Sequence, residues 1–125
     1  MSKTILVTGG LGYIGSHTTV SLLEQGYEVV SVDNLSNSSL GVVKSINEIT
    51  GKEFKHFEFE ICKDGLMDEH LKSIQVDAII HFAAYKAVGE SVKDPLKYYE
   101  NNLVSLINVL KYAKNANIHN IVFKN

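Results

Sequence analysis

The chain predicts an α/β fold built on one doubly wound parallel sheet, and three observations carry that expectation. β-prone runs alternate with helical patterns along the whole length, the connections are short, and the first run ends in a glycine-rich turn that opens the first helix. Such alternation forces parallel strands joined by right-handed crossovers, with helices on both faces. A length of 125 residues suits a single domain, and 45% hydrophobic with 21% charged residues and one Pro excludes disordered, collagen-like and disulfide-stapled classes.

Residues 4–8 form a continuous β-prone run ending in Gly9-Gly10, the pattern of a strand buried on both faces. Residues 12–25 read as a helix with Ile14, Thr18 and Leu22 four apart on one face and Gly26 as its stop. A strand over 28–33, a helix over 40–50, a strand over 54–61, a helix over 66–73 and a strand over 78–82 continue the alternation. The longest helix starts at Pro95, which suits a first turn because it lacks the orphan N–H, and runs to Asn115. Leu96, Tyr99, Leu103, Leu106, Leu110 and Ala113 are spaced as one apolar stripe, expected to face the sheet. A fifth strand over 120–123 follows. The expected strand order is 3-2-1-4-5, which puts a ligand outside the C-terminal strand ends, at the switch between strands 1 and 4.

Charge narrows the partners. Twelve Lys plus Arg against fourteen Asp plus Glu leaves a net charge of −2, with no basic footprint for nucleic acid or an acidic membrane. The single Cys62 has no internal partner, and His17, His56, His70, His81 and His119 show no metal-ligand spacing with it. With no apolar run of about 18 residues and no leader-like start, the expected location is the cytoplasm, and the sequons at Asn34 and Asn37 are incidental.

Gly9, Gly12 and Gly15 form G-x-x-G-x-x-G directly after strand 1 and at the opening of helix 1, a Rossmann-type context. Gly9 permits the tight turn, Gly12 lets backbone approach a pyrophosphate, and Gly15 allows close helix-on-strand packing. The helix N-terminus adds N–H donors and a positive dipole end; a glycine-rich turn without a ligand is the alternative. Asp33, 24 positions after Gly9, ends strand 2, where a carboxylate accepts hydrogen bonds from a ribose 2′-hydroxyl and repels a 2′-phosphate. No Arg occurs between Asp33 and Ser39, so NAD is favoured over NADP. His81 suits a hydrogen-bonded core histidine better than a catalyst. Lys86 can meet a phosphate as a point charge or stand as a solvated lysine.

Four blocks then carry a specific resemblance: Thr8 to His17 around the glycines; Asp33-Asn34-Leu35-Ser36-Asn37-Ser38; His81-Phe82-Ala83-Ala84-Tyr85-Lys86-Ala87-Val88-Gly89-Glu90-Ser91; and Pro95-Leu96 with Tyr98-Tyr99-Glu100-Asn101-Asn102. Together they resemble the UDP-glucose 4-epimerases, members of the extended short-chain dehydrogenase/reductase superfamily, over residues 4–123. The resemblance implies a tightly held NAD that takes a hydride from C4 of a UDP-hexose and returns it to the other face of the 4-keto sugar. It also implies a possible homodimer. By position, Tyr13 and Ile14 meet the pyrophosphate through backbone N–H groups, Asp33, Asn34, Leu35, Ser36, Asn37 and Ser38 the adenosine ribose, Glu60 and Ile61 the adenine, Phe82 and Lys86 the nucleotide, and Asn101 the nicotinamide side.

Departures accompany the match. Glu60 stands where the family usually has Asp, and Ala84 where it has glycine. The family's chemistry uses a Tyr-x-x-x-Lys pair, yet His17, Ser31, Gly89, Asn102, Leu103 and Ala116 stand four residues after the six tyrosines. The serine-rich turn that follows strand 5 in the family is not in this sequence, so the expectation is an incomplete NAD-binding domain, inactive alone, with no catalytic residue of its own. Two other readings stay open: a standalone, non-catalytic dinucleotide-binding module, and part of another nucleotide-sugar dehydratase or decarboxylase, against which residues 86–91 argue. Strand 5 is expected to form an unpaired edge and part of the long helix to stay uncovered.

Overall fold

The computed structural model describes residues 3–9, 13–33, 39–59, 61, 63, 65–82 and 95–124. The elements run β1 (Thr4–Thr8), α1 (Tyr13–Glu24), β2 (Glu28–Asp33), α2 (Ser39–Thr50), β3 (Lys55–Glu58), α3 (Leu66–Leu71), β4 (Ala78–Phe82), α4 (Pro95–Asn115) and β5 (Asn120–Lys124). They form one five-stranded sheet in the order β3-β2-β1-β4-β5, every neighbouring pair parallel, as the alternation predicts. β1 is central: Ile5 pairs with Val29 of β2 on one side and with Ala78 of β4 on the other.

The two-residue period of the strands splits the core between the sheet's faces. Leu6, Val30, Val32 and Ile79 point to a layer closed by Met67 and Leu71 of α3 and by Val109, Tyr112 and Ala113 of α4. Ile5, Val7, Val29 and Phe82 point the other way, to Leu23 of α1 and Ile46 of α2. Helix ends follow sequence chemistry. Gly26, at φ +93°, caps α1, with its N–H on the Leu23 carbonyl and that of Tyr27 on Leu22, the paired bonds of a Schellman motif. Asn117, at φ +59°, does the same for α4 through Lys114 and Ala113.

Three expectations need correction. The predicted stripe of α4 does not face the sheet: Leu96, Leu103 and Leu110 are 74%, 57% and 45% exposed. Of that stripe Ala113 is buried, and the sheet side is Ser105, Asn108, Val109, Tyr112 and Ala113. In α1, Ile14 is exposed and the buried row is Gly15, Thr19 and Leu23, one residue on from the predicted Ile14, Thr18 and Leu22. In α1 small or self-satisfied side chains stand on the sheet side: Gly15 has no side chain, and Thr19 Oγ1 donates to the Gly15 carbonyl at 2.9 Å. In α4 the leucines of the predicted stripe thus stand largely outward, whereas in α1 Ile14 is outward and Leu22 packs against the core beside Leu23. The third correction is β3, shorter than the predicted 54–61. It is an edge strand paired only with β2, whose last residue, Asp33, pairs with Glu58, so the ladder has no partner to continue on.

Candidate functional site

The order β3-β2-β1-β4-β5 puts the topological switch between β1 and β4, at whose C-terminal ends an α/β sheet opens a crevice. Three hydrogen bonds lace four strand ends together there. The Gly9 N–H donates to the Val32 carbonyl at 2.8 Å, tying the end of β1 to β2. Thr8 Oγ1 and His81 Nδ1 lie 2.5 Å apart, tying it to β4. The Phe59 N–H donates to the Asp33 carbonyl at 3.1 Å, tying the residue after β3 to the end of β2.

Gly9 has φ +73°, a region L side chains rarely adopt. A Cβ there would sit 3.2 Å from the Cβ of Phe82, the last residue of β4. The turn after β1 thus lies close against Phe82 at the switch, where any Cβ would force its neighbour to give by a few tenths of an ångström. Tyr13, Ile14 and Gly15 form the first turn of α1, whose N–H groups have no partners within the helix by geometry. Asp33 closes β2 half-buried. Phe82 is buried beside Gly9, Ile61 is buried in the β3–α3 connection, and Asn101 lies within α4. Gly12, Asn34, Leu35, Ser36, Asn37, Ser38, Glu60 and Lys86 lie outside the described residues.

His81 is buried, bonded to Thr8 and edge-on to the ring of Phe123 at 5.9 Å. Burial holds its pKa below the ordinary imidazole value, so the ring stays neutral at pH 7. It acts here as a neutral tie between two strand ends. Sequence reasoning missed Asn108, whose side-chain amide donates to the Ile61 carbonyl at 2.6 Å from inside the apolar layer. No signal in the sequence marked it, because the sheet side of α4 was expected on the leucine stripe. Two cavities, about 860 Å³ at the N-terminal strand ends beside Thr4, Glu28 and Lys55 and about 680 Å³ between α1 and α2 beside His17 and Ile49, lie apart from the laced strand ends. Among the described residues no group of three His, Cys, Asp or Glu could hold a metal ion, and no helix is long and apolar enough to cross a membrane.

A parallel sheet with a left-handed glycine turn pressed against β4 at its switch point defines a nucleotide-binding α/β domain of the Rossmann type. The family model described as GDP-mannose 4,6 dehydratase matches residues 6–124, and the chain belongs to that family, within the extended short-chain dehydrogenases/reductases. It is 48% identical over 120 residues to a UDP-glucose 4-epimerase of Schizosaccharomyces pombe, covering 96% of this chain and 34% of that one. A UDP-glucose 4-epimerase of Bacillus subtilis is 48% identical over 119 residues, covering 95% and 35%. Among solved structures, UDP-glucose 4-epimerase from Bifidobacterium longum, in complex with NAD+ and UDP, superposes with a TM-score of 0.91 at 44% identity, over 98% of this chain and 37% of that one. The chain spans about a third of the length of the curated relatives it matches.

Proposed function

We propose that residues 1–125 are the NAD-binding part of a UDP-glucose 4-epimerase. The observation that carries this reading is the Gly9 turn, where a Cβ would meet Phe82 at the β1/β4 switch, in a chain 44% identical to an epimerase solved with NAD+ and UDP. A tight left-handed turn at the end of β1, followed by the first turn of α1, fits a pyrophosphate, which needs close backbone approach and N–H donors. Gly9, Gly12, Tyr13, Ile14 and Gly15 would hold the pyrophosphate. Asp33, with Asn34, Leu35, Ser36, Asn37 and Ser38, would hold the adenosine ribose, Glu60 and Ile61 the adenine, Phe82 and Lys86 the nucleotide, and Asn101 the nicotinamide side. Bound NAD supplies a hydride acceptor and donor for C4 of a UDP-hexose.

Asp33 is the selective element: its carboxylate accepts from a 2′-hydroxyl and repels a 2′-phosphate. None of the six tyrosines has a lysine four residues on, so this polypeptide carries no acid/base pair of the epimerase kind. The exposed Leu96, Leu103, Ile107 and Leu110 line the outer side of α4 at helical spacing, which supports a homodimer that covers them. A reducing compartment, the cytoplasm, suits the single Cys62.

Calorimetric titration with NAD and NADP tests the cofactor, and an assay for conversion of UDP-galactose tests the absence of the pair. NAD binding with NADP far weaker, and no turnover, is expected. Equal or tighter NADP binding overturns the role of Asp33, and turnover above a host-epimerase-free control overturns the reading of the chain as inactive alone.

A further inference from the structure

We infer that Asn108 is a positioning residue for the adenosine half of the dinucleotide site, fixing the backbone after β3 against the end of β2; the inference rests on the NAD reading above. The β3–α3 connection leaves the sheet at its C-terminal edge, the ligand side of an α/β fold. Ile61 lies beyond the last β2–β3 pair, Asp33 with Glu58. The Ile61 carbonyl instead accepts from Asn108 Nδ2 at 2.6 Å, a bond reaching 47 residues along the chain. Both residues are buried, and Ile61 belongs to the apolar layer that also holds Phe59, Met67, Leu71, Val109 and Tyr112.

An amide in such a layer is costly unless bonded, and a leucine of similar size would pack there. The polar residue therefore serves the carbonyl, which a leucine would leave buried and orphaned. The chain of contacts continues towards the expected ribose site. Two residues before Ile61, the Phe59 N–H holds the Asp33 carbonyl, and the ring of Phe59 is stacked by His70 of α3 at 4.6 Å. The path Asn108, Ile61, Phe59, Asp33 thus runs from α4 to the backbone of Asp33, the residue whose carboxylate is expected to select NAD. Asn101, expected on the nicotinamide side, lies seven residues earlier in α4, so on the NAD reading one helix would serve both ends of the cofactor.

The test compares the parent chain with Asn108→Leu and Val109→Ala, titrated with NAD, ADP-ribose and nicotinamide mononucleotide, with thermal melts beside each. Val109 is fully buried next to Asn108, so its truncation lowers stability by packing alone. Asn108→Leu is expected to weaken NAD and ADP-ribose by the same factor, about tenfold, and to leave the mononucleotide unchanged. Val109→Ala is expected to lower the melting temperature with affinities within about twofold of the parent. Should Asn108→Leu fail to fold, the side-chain amide resonance of Asn108 in the parent decides: it is expected to shift with ADP-ribose and not with the mononucleotide. A parent that binds NAD while Asn108→Leu keeps full affinity, or while the amide resonance ignores ADP-ribose, overturns the inference alone. A parent that binds neither NAD nor ADP-ribose overturns the NAD reading, and the inference with it.

Discussion

Replacing Gly9 by alanine tests the close approach at the switch point, and the molecule contains its own control. Gly9 and Gly51 have nearly the same backbone, φ +73° and +68°, but a Cβ at Gly51 meets nothing within 4 Å, whereas at Gly9 it sits 3.2 Å from the Cβ of Phe82. The backbone term is shared: a left-handed conformation costs an L residue about 1–2 kcal/mol. The packing term belongs to Gly9. Phe82 is buried in β4, and its Cβ is fixed to the strand, so β1 or β4 must give by a few tenths of an ångström, an overpacking cost of about 1–3 kcal/mol. For a domain of this size unfolding entropy is about 0.26 kcal/mol per degree, so Gly9→Ala should melt about 4–12 °C below Gly51→Ala. Urea denaturation of both variants, with unchanged m-values, measures the same gap. Equal melting temperatures for the two would refute the contact between the turn and β4, and with it the account of why glycine ends β1.

Other expectations follow from buried polar groups. The hydroxyl of Tyr112 is buried with no hydrogen-bond partner among the described residues, so Tyr112→Phe should stabilise the chain by about 1 kcal/mol in urea titration. Burial, and then the charge of Asp68, push the Tyr112 pKa up to about 12, so in the parent the folded state keeps a proton that the unfolded chain loses above about 10. Stability should fall as pH rises from 10 to 12, and the phenylalanine variant should lack that part of the fall. The sign is opposite for His81. Its folded pKa is lowered by burial, so the unfolded chain binds the extra proton first, and stability should be full above about 6.5 and decline as pH falls from there. His81→Gln should flatten this acid limb; an unchanged slope would refute the buried neutral ring.

Strands were more legible in the sequence than helix faces. β1, β2 and β4 are short β-prone runs bounded by turn residues, and their bounds and order follow from alternation and crossover handedness. Gly9 was legible because a turn that reverses directly after a buried strand needs positive φ. Helix faces were not, because periodicity records where apolar residues stand without recording which side meets the sheet. In α1 and α4 the buried side mixes small or polar residues, Gly15, Thr19, Ser105 and Asn108, with Leu23, Val109 and Tyr112, while Ile14, Leu96, Leu103 and Leu110 lie outward. Asn108 was missed for the same reason: its value depends on a carbonyl 47 residues away, which no local pattern encodes.

The central position of β1 also dictates when the molecule can close. Its partner β2 follows within 24 residues, but Ile5 waits for Ala78, 73 residues later, to cover its other side. At translation rates of about 5–20 residues per second, the 49 residues from the end of β2 to the end of β4 take roughly 2–10 s to make. Throughout that interval the most apolar strand of the nascent chain has one bare edge, and the layer containing Val109 and Tyr112 does not yet exist. Ribosome-bound chains stopped before β4 should therefore be protease-sensitive and engage chaperones, and resistance should appear only when α4 has been released.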